Sequence, residues 1–174
     1  MGIDVPVLQV VGFQNSGKTT LVEQIVRACA QKGFRVGTLK HHGHGGRLDP
    51  VDQHKDTGKH RLAGAVMSGV QGGDTFQITL EDKSFSGPEV LLPFYSSAGL
   101  DLVIIEGFKR YNYPKVVLLR DRADLNLIEQ SSEIIAVISR EKDITVNSAV
   151  PFFTSDQSGE YTKKILCWIE RRVQ

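Results

Sequence analysis

Gly12-Phe13-Gln14-Asn15-Ser16-Gly17-Lys18-Thr19 fills every fixed position of the phosphate-loop pattern GxxxxGK[ST]. The apolar stretch Val5-Pro6-Val7-Leu8-Gln9-Val10-Val11 precedes it, and Thr20 to Ala30 follows with apolar residues at helical spacing. Strand, glycine loop and helix is the context such a loop requires. Glycine lets the backbone turn its N–H groups inward around a phosphate, and the helix N-terminus adds the positive end of its dipole. In that arrangement Lys18 reaches the β/γ-phosphates and the Thr19 hydroxyl holds Mg²⁺. The reading is a nucleoside-triphosphate site.

Outward from the loop, the first helix ends near Lys32-Gly33, and Arg35 to Lys40 reads as a second short strand that completes a βαβ unit. His41 to Lys55 is polar and glycine-rich, a surface loop, with a short helix expected over about 56–65. Ala65–Val70 and Thr75–Leu80 flank Gln71-Gly72-Gly73-Asp74, a hairpin pattern, and Pro88–Ser97 reads as a helix with proline in its first turn. Asp101-Leu102-Val103-Ile104-Ile105-Glu106-Gly107, Val116–Leu119 and Ile134–Ile138 are apolar runs of the kind a strand buried on both faces needs. Residues 158–172 form the closing helix. The expected fold is an α/β P-loop NTPase: a mainly parallel sheet with helices on both faces and a β-hairpin insertion, in a single domain over residues 1–174. Ligands of such sheets bind at the carboxyl ends of the strands.

The 174 residues are 40% hydrophobic and 24% charged, with 21 basic and 20 acidic side chains. That balance gives no reason to expect a nucleic-acid partner. No apolar run approaches the ~20 residues of a membrane span. Met1–Pro6 lacks the basic start and apolar core of a signal peptide, so a cytoplasmic protein is expected. Cys29 and Cys167 are both expected as reduced core residues of helices.

Glu106 closes a buried apolar run, the Walker B position, one methylene longer than the usual Asp. It acts on Mg²⁺ through water or positions the attacking water, or it is a simple strand-end acid. All five histidines fall between His41 and His60. His41, His42 and His44 suit a transition metal, or they belong to a polar loop facing phosphate. Asp49, Asp52 and Asp56 are further Mg²⁺ candidates, with Asp56 favoured, although it also suits a helix cap.

Three segments together carry a resemblance: Gly12–Thr20, Leu39-Lys40-His41 through Lys55-Asp56-Thr57 to Ala63-Gly64-Ala65, and Ile105-Glu106-Gly107-Phe108-Lys109. The chain resembles the MobB family of GTP-binding adapters in molybdopterin-guanine dinucleotide biosynthesis. The resemblance implies a homodimer with weak GTPase activity, GTP and Mg²⁺ as cofactors, and partnership with the molybdenum cofactor guanylyltransferase and with molybdopterin. It also implies that Asp56 and Glu106, the candidate catalytic and metal residues, lie close to the nucleotide. Candidate nucleotide contacts are Gly12, Asn15, Ser16, Gly17, Lys18, Thr19 and Thr20. The Asn-Lys-x-Asp guanine signature is missing, and its nearest equivalents are Ser139–Asp143 and Thr154-Ser155-Asp156, with Asp156 the candidate base acceptor. Related dimeric NTPases carry an extra lysine early in the loop; here Phe13, Gln14 and Asn15 stand there, and Lys109 or Arg110 is the alternative source of charge reaching across a dimer. Competing readings are a small-molecule kinase, with Arg120 and Arg122 as lid cations, a metal-delivery GTPase using the histidines, and a binding module without turnover.

Overall fold

The computed structural model describes residues 5–43, 46, 48–49, 52–82, 87–144, 146 and 149–173. Its elements are β1 (Val7–Gly12), α1 (Lys18–Gln31), β2 (Val36–Lys40), α2 (Asp56–Leu62), β3 (Met67–Gly72), β4 (Thr75–Leu80), α3 (Leu92–Ser97), β5 (Leu102–Glu106), β6 (Lys115–Leu119), α4 (Asn126–Glu129), β7 (Ile134–Ser139), β8 (Phe152–Thr154) and α5 (Ser158–Glu170). They form two compact units, Met1–His41 with Leu91–Gln174, and His42–Val90.

The first unit holds a six-stranded sheet in the order β2-β5-β1-β6-β7-β8, every pairing parallel. Leu8 and Val10 turn to one face, where α1 supplies Leu21, Val22, Ile25 and Cys29 and α5 supplies Tyr161, Ile165 and Ile169. On the other face Val11 joins Val117, Val137 and Leu127 of α4, while Val7 joins Val103, Ile105 and Leu92 of α3. Those are two separate clusters, and Gln9 is the residue between them on β1. Its partner in register is Lys115, and both side chains are 0% exposed.

The second unit pairs β3 with β4 antiparallel through a two-residue turn in which Gly73 takes φ 55°, a conformation glycine adopts without a Cβ penalty. Arg61 of α2 donates to Ser68 of β3 at 3.0 Å and joins helix to hairpin.

Two expectations change. Pro88–Ser97 is a 3₁₀ turn over Pro88–Val90 followed by α3, not one helix. Pro93 has no N–H to donate to the preceding turn. Cys167 is exposed whereas Cys29 is buried. The apolar stripe of α5 runs 161, 165, 169, and position 167 lies about 160° around the helix from Ile165, on the solvent side. No described helix is long and apolar enough to cross a membrane.

Candidate functional site: a phosphate loop ringed by cations

The 12–19 segment takes the backbone its glycines and asparagine permit. Gly17 has φ 96° and Asn15 has φ 61°, left-handed positions that glycine and asparagine tolerate best. A Cβ on Gly12 would lie 2.3 Å from Ser16 Oγ and 3.0 Å from the Leu118 carbonyl, so only glycine fits. Among the described residues no backbone acceptor meets the amides of Gly17, Lys18, Thr19 or Thr20, and Leu21 N–H donates to Gly17 O at 3.0 Å to close the first full turn. Ser16 Oγ is buried with no hydrogen-bond partner among the described residues. Open amides at a helix start and an orphaned hydroxyl beneath them make a seat that suits phosphate oxygens. Lys18 Nζ donates to Phe13 O at 2.7 Å. Burial lowers its pKa; the Glu106 carboxylate opposes this, and Lys109, Lys40 and Arg120 add to it.

Glu106 ends β5 beside β1, in register with Val10 on one side and Lys40 on the other. Its carboxylate, 8% exposed, accepts from Thr19 Oγ1 at 3.1 and 3.2 Å and pairs with Lys40 Nζ at 3.0 Å. Lys40 Nζ also donates to Thr19 Oγ1 at 3.4 Å. The fold therefore brings together Thr19 and Glu106, the two oxygen donors the sequence nominates for Mg²⁺ in this unit, and an oxygen set is what that hard cation takes. Lys40, named from the sequence only within a longer stretch, is part of the group.

Two more cations converge on Phe13. Lys109 Nζ stands 3.6 Å from its ring centroid, and the Arg120 guanidinium carbon 5.2 Å. Arg120 donates Nε to Asp124 Oδ2 at 2.9 Å and Nη2 to Oδ1 at 2.7 Å, and reaches Gln14 O through Nη1 at 3.4 Å. Arg122 donates its N–H to Glu141 at 3.1 Å and Nη2 to Asp143 O at 2.8 Å. Both arginines thus have fixed partners, and the kinase-lid reading loses its support. Arg140 Nη2 lies 3.6 Å from where a Gly17 Cβ would be, on the β7 side of the loop. Asp156 pairs with Lys142 at 2.8 Å and accepts from Thr154 Oγ1. The Lys142 ammonium first, then the Thr154 hydroxyl, draw its pKa down to about 2.

The second unit holds Asp56 as the first residue of α2. Lys55 occupies the cap position and no side chain caps the helix, so Asp56 is not its cap; its carboxylate takes Lys59 at 3.0 Å. Asp52 is clasped by both terminal nitrogens of Arg61 and by Thr57 Oγ1, which makes it a brace of this unit and removes it from the Mg²⁺ candidates. An open cavity of about 1010 Å³ has Asp56 and His54 in its wall together with the hairpin residues Val70, Phe76 and Ile78. His41 belongs to the first unit, its ring 4.8 Å from that of Phe108, while His44 lies outside the described residues. Among the described residues no group of three or more His, Cys, Asp or Glu stands together to hold a metal.

Sequence reading passed over Gln9 and Lys115, buried polar residues in the centre of the sheet. The signal was available for Gln9, the one polar position in an otherwise apolar run.

Comparison with known proteins gives a uniform result. The MobB family model, "Molybdopterin guanine dinucleotide synthesis protein B", matches residues 7–140. A Bacillus subtilis protein named "Probable molybdopterin-guanine dinucleotide biosynthesis adapter protein" is 41% identical over 152 residues, 87% of this chain and 86% of its own length. The crystal structure of Bacillus subtilis MobB matches with a TM-score of 0.80 at 37% identity, covering 93% of this chain and 96% of that one. The MobB homologue from Bacillus stearothermophilus gives 0.77 at 33% identity, covering 95% and 98%. A family match over most of the chain, relatives above 30% identity across their length and a shared fold lead to one conclusion: this chain belongs to the MobB family.

Proposed function

We propose that residues 1–174 act as a single P-loop GTP-binding domain and serve as an adapter in molybdopterin-guanine dinucleotide biosynthesis. The observation that carries the nucleotide reading is the Thr19 hydroxyl on the Glu106 carboxylate at the mouth of an open phosphate loop. The adapter role follows the name of the 41%-identical relative.

In this reading the amides of Ser16 to Thr20, with Gly12 and Asn15 shaping the loop, bind phosphate oxygens, and Lys18 leaves the Phe13 carbonyl for the β/γ-phosphates. Thr19 and Glu106 would hold Mg²⁺, directly or through water, and the ion would screen the phosphate charge. Asp156 accepts from the guanine base. Glu106 would orient the attacking water. Hydrolysis is slow, since Arg120 is committed to Asp124. The protein acts as a cytoplasmic homodimer that presents its nucleotide-bound shape to the guanylyltransferase that attaches GMP to molybdopterin.

The test is a titration of purified protein with fluorescent GTP and ATP analogues in Mg²⁺, followed by phosphate release, in wild type and Lys18→Ala. Guanine preference, slow release and at least a tenfold loss in the variant are expected, because a charge-assisted phosphate contact is worth about 1.5–3 kcal/mol. Unchanged affinity in Lys18→Ala overturns the site. Equal or stronger ATP binding overturns the base assignment.

A further inference from the structure

Where β5 ends, the chain makes a turn that no ordinary strand exit requires. Gly107 takes φ 91° and Phe108 takes φ 53°, two left-handed residues in succession, the second with a bulky side chain. A non-glycine residue in that region costs on the order of 1 kcal/mol or more and persists only where its surroundings hold it. Here they do. Gln9 Nε2 donates to Gly107 O at 2.8 Å and to Phe108 O at 2.7 Å. Lys115, its neighbour in register, donates Nζ to Tyr111 O at 2.9 Å. Tyr111 N–H closes the turn on Phe108 O at 3.0 Å. Two fully buried polar side chains, set between two apolar clusters, are spent on the carbonyls of residues 107–111. Burying an amide and an ammonium is costly. Gln9 Oε1 even lacks a partner among the described residues. Within that turn stands Lys109.

Lys109 Nζ lies 3.6 Å from the centroid of Phe13, the residue whose carbonyl receives Lys18 Nζ. It has no ion-pair or hydrogen-bond partner among the described residues. Among the described residues around the loop, Glu106 pairs with Lys40 and Asp124 with Arg120, and Asp121 adds to the negative charge facing Arg120. Each carboxylate already has its own cation, so Lys18 and Lys109 are the charges left over. Lys109 follows β5, and Asp156 follows β8 on the far side of β1. Lys109 nevertheless reaches over Phe13 to the Arg120 and Asp124 side of the loop, and its charge bears on Lys18.

We propose that Lys109 is a second phosphate-binding cation, delivered from the same chain by the Gln9–Lys115-braced turn and guided by the Phe13 ring, and that it favours a nucleoside triphosphate over the diphosphate. Phe13 thus replaces a loop lysine with a ring that holds one in place: cation–π attraction keeps the ammonium desolvated and aimed without neutralising it. Burial, with Arg120 nearby, lowers the pKa of Lys109, and Asp124 opposes the shift. Gln9 is a positioning residue that acts through the turn.

This inference rests on the nucleotide site proposed above. Its test is equilibrium binding of a non-hydrolysable GTP analogue and of GDP, with Mg²⁺, to wild type, Lys109→Met, Lys109→Arg, Gln9→Leu and Lys18→Ala. Lys109→Met is expected to weaken the triphosphate analogue about tenfold or more and GDP less than about threefold, the yield of one charge-assisted contact. Lys109→Arg restores the preference, and Gln9→Leu, with Lys109 intact, reproduces its loss. Loss of the Phe13 contact lowers the thermal midpoint of Lys109→Met by no more than a few degrees, and a merely structural role for Lys109 would weaken GDP as much as the triphosphate analogue. Loss of affinity in Lys18→Ala with wild-type binding by Lys109→Met, or with equal weakening of both nucleotides, overturns the role of Lys109 alone. Wild-type affinity in Lys18→Ala overturns the nucleotide site itself. If Gln9→Leu does not fold, Lys109→Met decides.

Discussion

Asp124→Asn is the substitution whose consequences the structure specifies most fully. The Asp124 side chain is 1% exposed and accepts from the Arg120 backbone N–H at 2.9 Å, from Nε at 2.9 Å and from Nη2 at 2.7 Å. Asparagine is isosteric and keeps one acceptor oxygen. It removes the charge, however, and points an NH₂ group at a guanidinium that only donates. Breaking a fully buried pair costs about 3–5 kcal/mol, but the Arg120 side chain is 38% exposed and recovers some hydration. The net loss is then about 2 kcal/mol, which for a chain of this length lowers the thermal midpoint by roughly 4–8 °C and the urea midpoint by about 1 M. Trp168, the single tryptophan, packs against the cluster beneath α1 and α5, so its fluorescence reports the unit that contains Asp124.

The pH dependence follows from the direction of the shift. Arg120, chiefly through its side-chain hydrogen bond, holds the Asp124 carboxyl below its usual range. A depressed carboxyl contributes stability that is fully present above its unfolded value of ~3.9 and is lost as pH falls through the folded one. The gap between wild type and Asp124→Asn is therefore constant from pH 7 to pH 5 and closes only in the acid range below about 4. Coincident urea midpoints at pH 7 would refute the argument, as would a gap that opened on acidification.

Two further outcomes are expected. Gly58→Ala should destabilise the second unit although alanine favours a helix by about 1 kcal/mol. An added Cβ would stand 2.2 Å from the Asp52 carbonyl oxygen, and overpacking of that kind costs about 1–3 kcal/mol; slower hydrogen exchange over 56–62 in the variant would refute this. Of the two thiols, Cys167 should react quickly with an aromatic disulfide reagent in the native protein and Cys29 only after unfolding. Burial first, then the Glu170 charge, pushes the Cys29 thiol up to about 11, so little thiolate is present near neutral pH; two fast thiols per chain would count against the packing of α1.

The fold was legible in the sequence because its cues are local. Gly12 to Thr19 announces a strand, a turn and a helix in one stretch, and the apolar runs at 102–105, 116–119 and 134–138 can only be strands covered on both faces. Where local cues misled, a second local fact had been left unread. Pro93 interrupts the helix begun at Pro88, and the 161-165-169 stripe already excludes Cys167 from the core. Thr19 and Glu106 were legible as a pair because the loop motif and the acid that ends an apolar run are each local cues, and β5 lies beside β1.

The partners of the loop were harder to read, for a physical reason. Lys40, Lys109 and Arg120 reach it from 21 to 107 residues downstream of Thr19 or Phe13, through strand register and a left-handed turn that no periodicity records. Their charges look like solvated strand-end residues until the sheet order sets β2, β5 and β6 around β1. Gln9 is the instructive case. In the sequence it is a blemish in the run Val7–Val11, and the hydrophobic effect alone would favour a fifth apolar residue there. A buried amide that gives up that stabilisation is informative because the loss must be offset elsewhere. The offset lies in the carbonyls of Gly107 and Phe108. A polar residue in a strand buried on both faces is thus evidence about the exit loop of a neighbouring strand, and here the loop after β5 carries Lys109 to the Phe13 ring.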